Sequence, residues 1–151
     1  MPSSTASHTV AVSRSPAVLW QMMQQAETWA NIGPVDKIWD PHHNDDGTLS
    51  GYRFSATVAG REYAGTATTI KSVPDSTMAL DLDGGEVAGV LTTVLAGNGD
   101  SEQTNVEVTL EVSSRGTLSA MFFPVIADAV KRGLPEQVEA FAARIEDGFT
   151  G

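Results

Sequence analysis

Two histidines and two aspartates stand close together at His42-His43 and Asp45-Asp46. Imidazole nitrogen and carboxylate oxygen are common metal ligands, so the group first raises a metal site. The spacing argues against it. Neighbouring residues of an extended strand point to opposite sides, and the aspartates fall in a turn that ends at Gly47. These residues read as a solvated turn, and no metal is assigned to them. His8, near the terminus, reads as exposed. A second group, Asp81 and Asp83 with Glu86 nearby, shares one face of a strand, as paired acid–base carboxylates do. It alternates with Met78, Leu80 and Leu82, which puts the carboxylates on the wet face. Glu107 and Glu111 have the same status. Arg53, Arg61, Glu62 and Tyr63 flank a hairpin. A buried Arg or Tyr there would orient a ligand's polar group, whereas Arg61-Glu62 on the surface is worth under about 1 kcal/mol. Tyr52 is the acid–base group that falls clearly in a dry phase.

Other chemistries lack their residues. The chain has no cysteine, which removes disulfides, thiolate nucleophiles and iron–sulfur clusters. There is no Gly-x-Ser-x-Gly elbow. Gly97-Asn-Gly-Asp100 is followed by no Lys-Ser/Thr pair, so it reads as a hairpin turn, not a phosphate loop. Nine Lys+Arg against 19 Asp+Glu give a net charge of −10 over 151 residues. Such a surface repels nucleic acid and anionic lipid. No run reaches about 18 apolar residues, and the first residues lack a basic, then apolar, leader pattern. The expectation is a cytoplasmic protein, monomer or weak homodimer, with no cofactor, no nucleic-acid partner and no membrane insertion.

Hydropathy periodicity supplies the elements that must position any site. The length fits one domain. Residues 1–7 are small and polar and read as a flexible N-terminus, 8–147 as a single domain, and 148–151 as a tail. Val10 and Val12 alternate with Thr9, Ala11 and Ser13, a short strand. Ser15-Pro16 opens a helix as N-cap and first helical residue, with Val18, Leu19, Met22, Met23 and Ala26 along one arc. From Val35 to Ser113 the period is 2, broken by turns at 41–47, 59–60, 73–76, 84–85 and 97–100. No helical crossover fits between these strands, so the sheet is an antiparallel meander with one dry face. Ile126, Val130, Leu134, Val138, Phe141 and Ile145 then form one stripe of a long helix, while Leu118, Met121 and Val125 lie on another face. Pro124 and the Gly133-Leu134-Pro135 stretch predict bends. The stripe needs a large apolar partner, and the dry sheet face is the one available.

The order and wording of these segments resemble a known superfamily. The matching stretches are Val10-Ala-Val-Ser-Arg-Ser-Pro-Ala-Val-Leu-Trp20, Trp29, Ile70-Lys-Ser-Val-Pro-Asp75 and Thr104-Asn-Val-Glu-Val-Thr-Leu-Glu-Val112, with Arg132-Gly-Leu134 in the last helix. Over roughly residues 8–147 the chain resembles the START-like, or SRPBCC, helix-grip proteins, and within them the polyketide cyclase/dehydrase and lipid-transport family. The resemblance implies an α+β fold. A curved antiparallel sheet of about six to seven strands would wrap a long C-terminal helix, with a short helix after strand 1 and an apolar cavity inside. It carries over no catalytic residue, since the family has no universal catalytic motif.

Such a cavity would draw on the dry phases: Tyr52, Phe54, Leu80, Val94, Val108 and Leu110 from the sheet. Trp20 and Met23 from the first helix, with Phe122, Ile126 and Val130 from the last, would complete it. Each of these residues also fits plain core packing, and a bulge would swap the phase that faces inward. The small-residue strand Ala64-Gly-Thr-Ala-Thr-Thr69 fits either a void or a close helix contact. Three functions remain. One is a carrier or sensor for a small hydrophobic, lipid- or polyketide-like molecule. Another is a cyclase/dehydratase-type enzyme using the same cavity. The third is a partner-binding protein without a cavity.

Overall fold

A computed structural model describes residues 3–30, 35–58, 60–97 and 103–146, the side chains of 58, 117–120 and 122 falling outside that description. The elements run β1 (Ser3–Val12), α1 (Pro16–Met23), a 3₁₀ turn (Ala26–Trp29), β2 (Val35–His43), β3 (Leu49–Val58), β4 (Arg61–Val73), β5 (Thr77–Asp83), β6 (Val87–Gly97), β7 (Thr104–Ser114) and α2 (Thr117–Glu146). The seven strands pair antiparallel in the order β1-β7-β6-β5-β4-β3-β2. This is the antiparallel meander with a long C-terminal helix that the periodicity predicts, in the curved, open form that the family resemblance implies. β1 and β2 lie on opposite edges, so α1 and the 3₁₀ turn carry the chain from one edge to the other.

β7 shows why the sheet has one dry face. Val106, Val108, Leu110 and Val112 are buried, while Asn105, Glu107 and Glu111 are exposed. The same period puts Tyr52, Phe54 and Ala56 of β3 inside, and Leu91, Thr93 and Leu95 of β6. Against this face α2 lays Phe123, Ile126, Val130, Leu134, Val138, Phe141 and Ile145, all buried, with its main contacts on β1 and β7. Met121 and Val125 stay exposed on the other side. Helical backbone continues through both Pro124 and Pro135, so neither ends the helix. Each proline removes one donor at a cost of about 3 kcal/mol, which burial of two or three large side chains offsets.

Side chains close the helix ends. The Ser15 hydroxyl oxygen accepts the Val18 N–H (3.3 Å) at the start of α1. Beyond its end, the Trp29 indole N–H donates to the Met23 carbonyl (2.9 Å) and the Thr28 hydroxyl to Met22 (2.6 Å). The Gln24 amide donates to Trp20 (3.0 Å), and its oxygen accepts the Leu49 N–H (2.9 Å), which fixes α1 to β3. These bonds satisfy carbonyls that a helix terminus leaves without partners. Trp29, 1 % exposed, then stacks on Phe141 of α2 with ring centroids 6.0 Å apart. The far end of α2 is tied by Arg14, which donates to the Glu146 carbonyl (2.8 Å), and by the Ser13 N–H on the Glu146 carboxylate (2.9 Å).

Two strands differ in extent from their hydropathy pattern. β1 begins at Ser3, so residues 3–7 are not a separate tail but continue the ladder opposite Thr109–Ser113. Their side chains alternate exposed and half-buried, and ladder hydrogen bonds to β7 leave no mark in hydropathy. β2 runs on through Pro41 to His43 with three register shifts, and Asp40 takes a positive φ of 56°. An edge strand tolerates a proline and bulges that an inner one would not.

In β4, Gly65 serves a purpose other than the two expected. A Cβ added to Gly65 would lie 1.8 Å from the Asp83 carbonyl oxygen, and one added to Gly51 2.5 Å from that of Ala67. The missing side chain at Gly65 therefore admits the backbone of β5, and Phe54 stands opposite it on β3. Gly65→Ala is expected to destabilise the fold by more than about 2 kcal/mol in urea denaturation, because backbone must move. Gly97→Ala, with nothing within 4 Å of the new Cβ, should change stability by no more than about 1 kcal/mol.

Asp83 pins the β5–β6 hairpin. Its carboxylate accepts the Gly85 N–H (3.0 Å) and pairs with Arg115 (2.9 Å), and these two contacts hold its carboxyl below the usual range. A folded-state value below the unfolded one stabilises above the unfolded value of about 3.9 and is lost as pH falls through the folded one. Thermal melts from pH 7 to pH 2 should show Asp83→Asn less stable than wild type at neutrality. The gap should narrow as pH drops below about 4. A gap independent of pH would deny the carboxylate charge any part in the hairpin.

Candidate functional site

The dry face and the α2 stripe do not meet everywhere. Under the N-terminal half of α2 they leave a cavity of about 60 Å³. Ile126 and Val130 form its roof. Val35, Phe54, Ala56 and Tyr63 form one wall, from β2, β3 and β4. Leu82, Gly84, Val87, Ala88, Gly89 and Leu91 form the floor, and Leu110 and Val112 of β7 the opposite wall.

Cross-strand register explains the space. Ala56 faces Val35 on one side and Tyr63 on the other, while Gly89 lies between Leu82 and Val112. Each row thus carries one small residue among large ones. A Cβ at Gly89 would come 3.4 Å from Leu110 and 3.7 Å from Val112 side-chain atoms, both lining groups. The nearest atom to such a Cβ is the Glu111 backbone oxygen at 3.1 Å, so Gly89 borders the cavity while its Cβ position is already close-packed against β7.

The lining is aliphatic and aromatic with one polar side chain, Tyr63. Tyr63 is 9 % exposed, and its buried hydroxyl has no hydrogen-bond partner among the described residues. Buried hydroxyls are normally paired, because an unmatched one forfeits its hydration. The Arg61 guanidinium lies 5.9 Å from the Tyr63 ring centroid and 3.8 Å from the Glu86 carboxylate. Arg61 and Tyr63 are two apart on one strand face, so this exposed ion pair stands beside the aromatic wall.

Of the residues expected to face a cavity, Phe54, Leu110, Ile126 and Val130 come together around it. Leu80 and Val108 are fully buried on the same sheet face, in core rows where Leu80 pairs with Leu91 and Val108 with Thr93. Tyr52 is 3 % exposed beside Phe54's strand phase, and burial raises its hydroxyl pKa. Trp20 and Met23 are buried in the core from α1. Val94 lies on the outer side, in the opposite phase from Leu91, Thr93 and Leu95, because the inward positions of β6 are the odd-numbered ones. The side chain of Phe122 lies outside the described residues; Phe123 is the buried member of that pair.

Other chemistry-bearing residues are used elsewhere. His42 lies 3.4 Å from the Asp40 carboxylate, and Arg53 3.6 Å from it, both exposed. His43 turns the other way and donates through Nε2 to the Gln24 carbonyl (2.9 Å). Asp81 and Asp83 occupy the outer phase of β5. The lining residues absent from the expectation are the small ones, Ala56, Gly84, Ala88 and Gly89, and the larger Val35, Tyr63, Leu82, Val87, Leu91 and Val112. Their signal was the antiparallel register: with Phe54 inside, Ala56 is also inside, and the tight turn after it places Tyr63 opposite.

No family model matches the chain, and no curated protein matches it in sequence. Solved structures do match it in shape. A START superfamily protein from Mycobacterium smegmatis superposes with a TM-score of 0.68 at 19 % identity, covering 95 % of this chain and 94 % of that one. The Zhui aromatase/cyclase from Streptomyces sp. R1128 gives 0.62 at 19 %, over 97 % and 89 %. The di-domain aromatase/cyclase BexL of the BE-7585A biosynthetic pathway gives 0.69 at 14 %, covering 99 % of this chain and 50 % of that one. At such identities the likeness is one of architecture. The seven-stranded curved sheet closed by α2 therefore has a helix-grip fold, the architecture of these START superfamily and aromatase/cyclase structures.

Proposed function

We propose that this chain binds a small hydrophobic molecule, lipid- or polyketide-like in chemistry, between the sheet and the N-terminal half of α2, as a carrier or sensor. The observation that carries this reading is the apolar cavity bordered by Ala56 and Gly89 beneath Ile126 and Val130. Burial of the ligand supplies about 25 cal/mol per Å² of apolar surface. With a volume of about 60 Å³, the cavity has room for roughly four or five waters, hence for one ring or a short acyl segment.

A second reading, a cyclase/dehydratase-type enzyme using the same cavity, is favoured by one observation: the lining residue Tyr63 has a buried hydroxyl with no partner among the described residues. Proteins named aromatase/cyclase share the architecture. Proton transfer also needs a base, and the described lining holds no carboxylate, imidazole or amine. Binding is therefore the reading the geometry supports best.

Toluene titrated into ¹⁵N-labelled protein should give saturable amide shifts centred on Gly89, Val112 and Val130. Ala56→Leu, which projects into the cavity, should weaken this binding at least about tenfold, since filled volume excludes the ring. Its melting temperature should stay within about 8 °C of wild type. Shifts that scatter over the outer face, or binding indifferent to Ala56→Leu, would reject the cavity as the site. Native mass spectrometry of protein taken directly from its host should show a retained hydrophobic compound that the same variant loses.

A further inference from the structure

We infer that the molecule this cavity takes is uncharged, about the size of one ring, and bears a carbonyl oxygen that accepts a hydrogen bond from Tyr63; this rests on the binding role proposed above. Three observations converge on it. Tyr63 lines the cavity, is nine-tenths buried, and has a hydroxyl that meets no partner among the described residues. The rest of the described lining is hydrocarbon and backbone. The volume admits one ring or a few carbons.

The phenol decides the class of group. A phenolic O–H is the most acidic neutral hydroxyl among the side chains and a correspondingly good donor. Its natural complement in an apolar site is an acceptor without a competing donor, such as a ketone, aldehyde or ester oxygen. A pure hydrocarbon would leave the hydroxyl unpaired, which keeps the desolvation penalty in the complex. A chain with several carbonyls would pair one oxygen and strip the others of water against Val112, Ile126 and Leu110, with nothing to replace the lost bonds. One matched oxygen per ligand is what the lining can satisfy.

Charge narrows the class further. A carboxylate inside would need a buried cation, and none stands in the described lining. Arg61, beside the aromatic wall, is exposed and already faces Glu86 at 3.8 Å. The net charge of −10 also disfavours the approach of anions. A free fatty acid or benzoate-like compound is therefore a poor occupant, although its hydrocarbon part would fit.

Three probes of one size separate these terms: acetophenone, ethylbenzene and benzoate, titrated by NMR into wild type and Tyr63→Phe. Acetophenone and ethylbenzene should both bind wild type saturably, with benzoate at least about 100-fold weaker than acetophenone. Tyr63→Phe keeps the ring, so it should leave ethylbenzene binding unchanged or tighter. It should weaken acetophenone, so that the ratio of the two dissociation constants moves by about tenfold. A ratio that moves less than about twofold overturns the assignment of Tyr63 as donor while leaving the cavity intact. Benzoate binding as tightly as acetophenone overturns the exclusion of charge. If neither neutral probe binds wild type, the cavity itself is not a site, and the inference falls with the proposed function.

Discussion

The apolar stripe of α2 has to be covered, and one face of one sheet covers it. Everything else in the molecule follows from how well those two surfaces mate. A stripe of seven buried residues from Phe123 to Ile145 presents large side chains along its whole length. The sheet beneath is not uniform. Towards the C-terminal end of α2 it is helped by the chain that crosses between its edges: Trp29 stacks on Phe141, and Leu19, Trp20 and Met23 bury beside them. Towards the N-terminal end the opposing positions include Ala56, Gly84 and Gly89. The same helix therefore meets a filled core at one end and a void at the other.

The filled end is also the end held by specific bonds. Trp29 and Thr28 close carbonyls of α1, Gln24 joins α1 to β3, and Arg14 with Ser13 ties the last turn of α2 to the loop after β1. Polar groups satisfied in this way fix one arrangement of the elements. The void sits at the opposite end, where α2 contributes Ile126 and Val130 and the β5–β6 hairpin is held by Asp83 and Arg115 on the surface. Such a division lets one half of the fold carry stability while the other holds open a space that stability alone would close.

The fold was far more legible in the sequence than the site. β7 alternates without a fault from Val106 to Val112, and the α2 stripe from Ile126 to Ile145 keeps helical spacing, so each named its buried face directly. Hydropathy failed where backbone geometry decides. It missed Ser3–Ser7 because a ladder can run through serine and threonine, and it ended β2 early because Pro41 is tolerated only at an edge. Within the site, large residues were the ones expected, and Phe54, Leu110, Ile126 and Val130 do surround the cavity. A cavity, however, is defined by what is small. Ala56 and Gly89 border the cavity as small residues among large ones, and strand register is what places them in those rows. Val94 shows the converse: its apolar side chain faces outward, because β6 carries apolar residues in both phases and its parity rests on pairing with β7.

A hydroxyl in a hydrocarbon cavity distinguishes orientation from catalysis. If Tyr63 were one of a pair, with a carboxylate or imidazole across the space, their pKa values would be pushed apart and a proton could move between them and a bound carbonyl compound. The carboxylate pair Asp81 and Asp83 is instead on the outer phase of β5, while His43 bonds the Gln24 carbonyl, His42 faces Asp40 and His8 faces Glu139 of α2. A lone donor can still polarise a carbonyl, yet polarisation without a base holds a ligand in place and leaves it unchanged. This arrangement fits the proposed binding role, on an architecture shared with structures named aromatase/cyclase. In that proposed role, an oxygenated ring would be told from a bare one by the penalty of leaving one buried O–H unmatched, and neutral from charged ligands by the absence of any cation in the described lining.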